Sequence, residues 1–239
     1  MSRPSISAFL PCYNDAGSIG RLVVDLRATL HTLTDDFEII VVNDGSQDGS
    51  ERVLRELQSE VAELKIITHL QNRGYGSALR SGFANATKDL IFYTDGDGQY
   101  DVKELAILVM LLSDDVDFVN GAKMTRQDPA YRVHIGNLHK FVMRWAFWLP
   151  IVDVDCDFRL IRKSVIDRIH LSSNSGSICT ELVKRSDRAG ARFREVSVHH
   201  YSRQSGQSQF FKPLAIAQTY FDLLRLWVRL MVLERSPQP

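Results

Sequence analysis

Five apolar runs in the first half of the chain each stop at turn-forming or acidic residues, and helical periodicity follows four of them. Ile6 to Leu10, Phe37 to Val42, Leu64 to Thr68, Leu90 to Tyr93 and Val116 to Val119 read as strands. Between them, Ile19, Leu22, Val23, Leu26 and Leu30 mark one helical face, and Val53, Leu54, Leu57 and Val61 a second. Tyr75, Ala78, Leu79, Gly82, Phe83 and Ala86 give a third, and Leu105, Leu108, Val109 and Leu112 a fourth. Asp48, with Glu51 three residues on, resembles a capping box at the start of the second helix. This alternation predicts an α/β fold: a Rossmann-like, mostly parallel sheet flanked by helices. Such connections put the C-terminal strand ends along one edge, where open sheets bind ligands. The loops around Asn14, Asp44, Asn72 and Asp95 are therefore expected to converge.

Asp95-Gly96-Asp97-Gly98-Gln99 directly follows the fourth strand. Two carboxylates at that edge suit a hard divalent cation such as Mg²⁺ or Mn²⁺, with substrate phosphates completing its shell. The interleaved glycines remove side-chain bulk, so an ion or phosphate can approach the backbone. Asp44, at the end of the second strand, can accept a hydrogen bond from a ribose hydroxyl or base N–H. Gly74 and Gly76, at the start of the third helix, would expose backbone N–H groups to an anion. The last glycine of a dinucleotide fingerprint is missing there, and so is a Walker A lysine.

Lys+Arg and Asp+Glu both number 29, so no global field points to nucleic acid as a partner, and phosphate recognition must be local. Cys12, Cys156 and Cys179 are scattered without CxxC spacing, which suits a reducing cytosol and neither a disulfide framework nor a zinc site. No apolar run approaches the roughly 18 to 20 residues of a spanning helix. A cytoplasmic protein, with membrane contact at most peripheral, is the expectation.

The second half is less regular. Asn137 to Leu149 reads as a helix rich in large apolar groups, and Phe193 to Val198 as a strand with one exposed face. Pro213 to Leu233 reads as a long helix whose polar stripe is Gln218, Asp222, Arg225 and Arg229. These helices suit a core, a homo-oligomer face or a membrane-surface anchor. The expected division is a catalytic domain over residues 1–210 and a C-terminal amphipathic helix and tail over 211–239.

The ordered set of motifs resembles family 2 glycosyltransferases of the GT-A fold, in the dolichyl-phosphate-mannose-synthase-like branch. Its pieces are Leu10-Pro11-Cys12-Tyr13-Asn14-Asp15, Val41 to Ser46, Asn72-x-Gly74-x-Gly76-x-Ala78, Asp95 to Gln99, Asp153 to Arg159, and Arg203 to Ser208. The resemblance implies a nucleotide-sugar donor, GDP-mannose or UDP-glucose in type, held near Pro11, Tyr13, Asn14, Asp15, Asp44, Asn72 and Gly74. It implies a metal on Asp95 and Asp97 with Gln99 nearby, and a polyprenyl or dolichyl phosphate acceptor. Arg203 and Ser208 would lie in a loop that closes over phosphate; Lys123, Arg126 and Arg132 are further cationic candidates. Two departures stand out: Asp15 replaces a frequent Glu, and Gln209 a frequent Lys.

A metal on the diphosphate would stabilise the leaving group of an inverting single displacement. An acceptor phosphate is already largely ionised near neutral pH and needs no base, whereas a hydroxyl acceptor would need one. Asp155 and Asp157, with Asp153, are the candidates for that base. Their period-two spacing would put all three on one face of an extended segment, and a solvated strand edge is the bland alternative. Nucleotidyl transfer and a non-catalytic nucleotide-sugar-binding scaffold are the rival functions.

Overall fold

The computed structural model describes residues 3–124, 140–203 and 213–234, with side chains from 218 onward in the last segment. Strand β1 (Ile6–Cys12) pairs in parallel with β2 (Phe37–Asn43) and β4 (Leu90–Thr94), and β2 pairs with β3 (Leu64–Thr68). Helices α1 (Ile19–Leu33), α2 (Ser50–Gln58) and α3 (Tyr75–Asn85) make the crossovers, and α4 (Leu105–Leu111) follows β4. The alternation read from sequence is thus realised element by element.

Strand β5 (Phe118–Lys123) does not join β4 directly. Between them lies β6 (Phe158–Arg162), antiparallel to both, and β7 (Phe193–Val198) runs parallel to β5 at the edge. The seven-stranded order is β3-β2-β1-β4-β6-β5-β7. Arg159 anchors the inserted strand although it is fully buried. Its guanidinium donates to the Tyr93 hydroxyl at 2.6 Å, to Asn120 Oδ1 at 2.8 Å and to the Val154 carbonyl, so the buried donors are satisfied.

Alternating side chains of the central strands feed two cores. Ile6, Ala8, Leu10, Ile39 and Val41 face α1, α2 and α4. Phe9, Ile40 and Val42 face α3, α7 (Ile178–Arg188), α8 (Pro213–Trp227) and α5, a helix described over 140–147. The short α6 (Lys163–Ile166) adds Val165 to this second core. Helix α8 passes into a π-helical stretch, Val228–Leu233, and buries Leu223, Leu226 and Leu230 while Tyr220, Phe221 and Leu224 stay exposed. Among the described residues, no helix is long and apolar enough to cross a membrane.

The expected capping box takes another form. Helix α2 starts after Gly49, and Asp48 accepts the Ser50 N–H at 2.9 Å and the Ala16 N–H at 3.1 Å. Glu51 pairs instead with Arg55, one turn along the exposed face. Asp48 therefore stitches two loops together through an Asx-type turn.

Candidate active site

Pro11, Tyr13, Asp15, Asp44, Asn72, Gly74, Asp95, Asp97 and Arg203 share the walls of one cleft of about 600 Å³. It opens where β1, β2 and β4 end, the edge at which the sequence placed their loops.

The acidic centre comes from the β4 loop. Asp95 accepts the Tyr75 hydroxyl at 2.7 Å, and Asp97 accepts the Gln99 backbone N–H at 3.0 Å. Arg203 donates to Asp97 Oδ2 at 2.6 Å and stands 3.7 Å from Asp15 Oδ1. Burial, together with the charges of Asp157 and Asp97, holds the Asp95 carboxyl well above the usual carboxylate range. Burial also pushes Asp15 up to about 6, against the Tyr13 N–H, with Asp97 raising it and Arg203 lowering it.

This donor set fits a hard divalent cation. Two carboxylates converge at the cleft, and their mutual repulsion is what a cation would relieve. Among the described residues, no cluster of three or more His, Cys, Asp or Glu could hold a metal. The remaining ligands would have to be substrate oxygens, as Mg²⁺ commonly takes.

At the other end, Asp44 is buried and accepts Arg73 N–H and Gly74 N–H, both at 2.9 Å. Its Oδ1 also meets His69 Nδ1 at 2.6 Å.

Several sequence expectations need correction. The glycines of the third loop do not offer free amides to an anion: Gly74 N–H is held by Asp44, and Gly76 N–H donates to the Asn174 carbonyl at 2.8 Å. Gly74 has φ +92°, and Cβ atoms at Gly74 and Gly76 would lie 2.5 Å from Asn174 O and 2.4 Å from Ser173 O. Both glycines are required because the 172–175 loop rests on them. Gly96 likewise makes room for Pro11, to whose carbonyl its N–H donates at 3.1 Å.

The three aspartates after residue 152 do not line one extended face. Residues 153–156 form a turn, with Cys156 N–H donating to Asp153 O at 3.3 Å. Asp153 is buried and takes Lys140 Nζ at 2.5 Å and Lys123 N–H at 3.1 Å, a structural role. Asp157 receives the Cys179 thiol at 3.1 Å and the Tyr93 hydroxyl at 3.4 Å, behind Asp95. Asp155 is half-buried, and Lys123 Nζ reaches its carbonyl at 2.9 Å. Neither Asp155 nor Asp157 is among the residues that line the cleft.

Asn14 and Gln99 also lie outside the lining. Asn14, at φ +57°, accepts Gln47 N–H at 2.8 Å and so braces two loops. The Gln99 amide donates to the Tyr201 carbonyl at 2.8 Å, which turns it toward the strand-β7 loop. Arg126, Arg132 and Ser208 lie outside the described residues.

Sequence reasoning missed part of the wall. Tyr75, Ser175, Gly176, Gln218 and Thr219 also line the cleft. The run Ser172-Ser173-Asn174-Ser175-Gly176-Ser177 was a legible loop signal. Glu181, fully buried, holds that loop by accepting Ser172 N–H at 3.0 Å and Ser173 N–H at 2.8 Å.

A cleft at the carboxyl edge of such a sheet, with paired carboxylates facing a guanidinium, belongs to the GT-A class of transferase folds. Over 95% of this chain the fold matches that of glucosyl-3-phosphoglycerate synthase from Mycobacterium tuberculosis, at TM-score 0.72, 16% identity and 79% of that chain; that enzyme was crystallised with Mn²⁺, UDP and glucosyl-3-phosphoglycerate. The chain belongs to glycosyl transferase family 2, whose profile matches residues 7–169. It is 30% identical over 222 residues to an undecaprenyl-phosphate 4-deoxy-4-formamido-L-arabinose transferase from Yersinia enterocolitica, covering 92% of this chain and 66% of that protein. A protein of the same description from Pseudomonas fluorescens is 28% identical over 221 residues, covering 92% of this chain and 64% of its own length. The chain thus spans slightly under two thirds of the curated relatives it matches.

Proposed function

We propose that this chain moves a sugar from a nucleotide-diphosphate sugar to a polyprenyl phosphate. The observation that carries the reading is Asp95, Asp97 and Arg203 gathered at one end of a cleft whose other end presents Asp44, in a family 2 chain. The lipid acceptor is supported by the curated relatives, both described as undecaprenyl-phosphate sugar transferases.

Asp95 and Asp97 would hold Mg²⁺ or Mn²⁺ against the donor diphosphate, and the ion would supply charge neutralisation for the departing nucleoside diphosphate. Arg203, now on Asp97, can reach a diphosphate oxygen with a second guanidinium N–H. Asp44 and Asp15 accept from the nucleoside, while Pro11 and Tyr13 form its wall. The acceptor phosphate oxygen attacks the anomeric carbon opposite the leaving group. One C–O bond forms there as the bond to the nucleoside diphosphate breaks. The acceptor phosphate is anionic at neutral pH, so no side chain has to take a proton.

A bilayer-borne acceptor also suits the exposed aromatic face. Phe141, Trp145 and Trp148 stand exposed around α5, and Trp227 of α8 donates to the Ala146 carbonyl at 2.9 Å, so the two helices present one surface.

The test is a calorimetric titration with UDP-, GDP- and dTDP-sugars, each with and without Mn²⁺, followed by turnover with polyprenyl phosphates. Metal-dependent binding of one donor and its consumption with a lipid phosphate is the expected result. A folded protein that binds none of them would sink the reading.

A further inference from the structure

His69 was not anticipated by any motif, and the reaction above gives it no role. Its position is nevertheless tightly specified. The backbone N–H of His69 donates to the Asn43 carbonyl at 2.9 Å, extending the β2–β3 pairing by one residue and setting the ring beside Asp44. Nδ1 lies 2.6 Å from Asp44 Oδ1, and Nε2 lies 2.9 Å from Ser81 Oγ on α3. His69 is 7% exposed and Asp44 3%, so water competes little for the bond between them.

The chemistry of the line follows from Asp44. An ionised carboxylate only accepts, so Nδ1 carries a proton and donates. In the neutral ring Nε2 then accepts from the Ser81 hydroxyl; in the doubly protonated ring it donates to Ser81 instead. Either way the Nδ1–H bond to Asp44 persists. The same order of groups occurs in nucleophilic triads. Here Ser81 sits inside α3, where neighbouring backbone N–H groups are taken by the helix, so no oxyanion hole adjoins it.

The carboxylate has about four lone-pair directions. His69 Nδ1 and Arg73 N–H fill those of Oδ1, and Gly74 N–H takes one on Oδ2. Among the described residues, one Oδ2 direction remains unfilled on this residue, which lines the cleft.

We propose that His69 is a positioning residue for the nucleoside: held from behind by Ser81, it fixes the Asp44 carboxylate so that one oxygen faces the base or ribose of the donor. The assignment rests on the nucleotide-sugar reading of the cleft. His69 touches no ligand and acts only through Asp44.

The test is calorimetry on the full chain with four probes, each with MnCl₂: UDP, GDP, dTDP and inorganic pyrophosphate. His69→Phe should weaken the nucleotide that the wild type binds by about tenfold, the scale of one misdirected charge-assisted hydrogen bond. Pyrophosphate, which lacks the nucleoside, should bind unchanged. His69→Asn, whose amide N–H can replace Nδ1–H, should recover most of the loss. Adding His69→Phe to Asp44→Asn should cost nothing further, because the histidine works through that carboxylate. Undiminished nucleotide binding by His69→Phe, or an equal loss for pyrophosphate, overturns the proposal. If His69→Phe does not fold, Ser81→Ala carries the test: a smaller, nucleotide-confined loss supports the relay, and no change overturns it. A folded wild type that binds none of the three nucleotides overturns the donor reading itself, and the relay with it.

Discussion

Arg203 bonds Asp97 Oδ2 at 2.6 Å and lies 3.7 Å from Asp15 Oδ1, so one guanidinium bridges two loops of the first half of the chain. Without a diphosphate in place, that cation offsets a crowded acidic centre. With one in place, it has a stronger anion to share. Arg203→Lys keeps the charge but loses the planar fork, and should lower kcat/KM by about tenfold to a hundredfold. Steady-state kinetics at saturating metal would check this; wild-type kinetics from Arg203→Lys would remove the arginine from the reaction.

Asp95→Asn keeps the size of the side chain and the Tyr75 contact while removing one ionisable carboxyl from the centre. Mn²⁺-dependent enhancement of nucleotide binding should vanish, and the thermal midpoint should hold or rise, because a desolvated carboxylate is gone. A titration showing the same metal response as wild type would contradict the metal assignment.

Glu38 gives a pH signature far from the cleft. Burial would push this carboxyl up, but hydrogen bonds from Lys65, Ser7 and Thr87 outweigh it and hold it at about 2, below its ordinary 4.5. A depressed carboxylate stabilises the fold fully above the ordinary value, and that contribution is lost as pH falls from about 4.5 through 2. Glu38→Gln should flatten this acidic limb and cost about 1–3 kcal/mol at neutral pH. Denaturant midpoints at pH 7, 4 and 3 would measure both effects.

Gly76→Ala should damage folding and donor binding together. Its Cβ would lie 2.4 Å from the Ser173 carbonyl oxygen and 2.9 Å from Asn174 Cα, backbone atoms that cannot rotate aside. An overpacking cost of about 1–3 kcal/mol is expected. A thermal midpoint equal to wild type would show that the 172–175 loop yields freely.

The first four strands and their helices were legible because each carries a clean period and ends at a turn. Strand β6 was not. Its five residues include Arg159 and Arg162, and only the contacts to Tyr93, Asn120 and Val154 explain how a charged side chain enters a central strand. The aspartates at 153, 155 and 157 misled through spacing alone: alternation fits a strand, but a turn also accepts it when Lys140 and Lys123 claim the first carboxylate. At the cleft, chain order located Asp44, Asp95 and Asp97. What Gly74 and Gly76 do depended on a loop about a hundred residues away, and nothing local announces such a partner.

The cleft draws Pro11 from the first strand and Thr219 from the last helix. Contacts of such sequence separation close only after the intervening chain is ordered, since the loop entropy must be met first. The donor affinity proposed for this cleft would therefore be a property of the finished molecule. A fragment holding β1 to β4 and the loop that follows, through Gln99, would keep every acidic residue named for the metal and still lack Arg203, the serine loop and the wall supplied by α8, so it would fold toward a sheet edge and present no enclosed site.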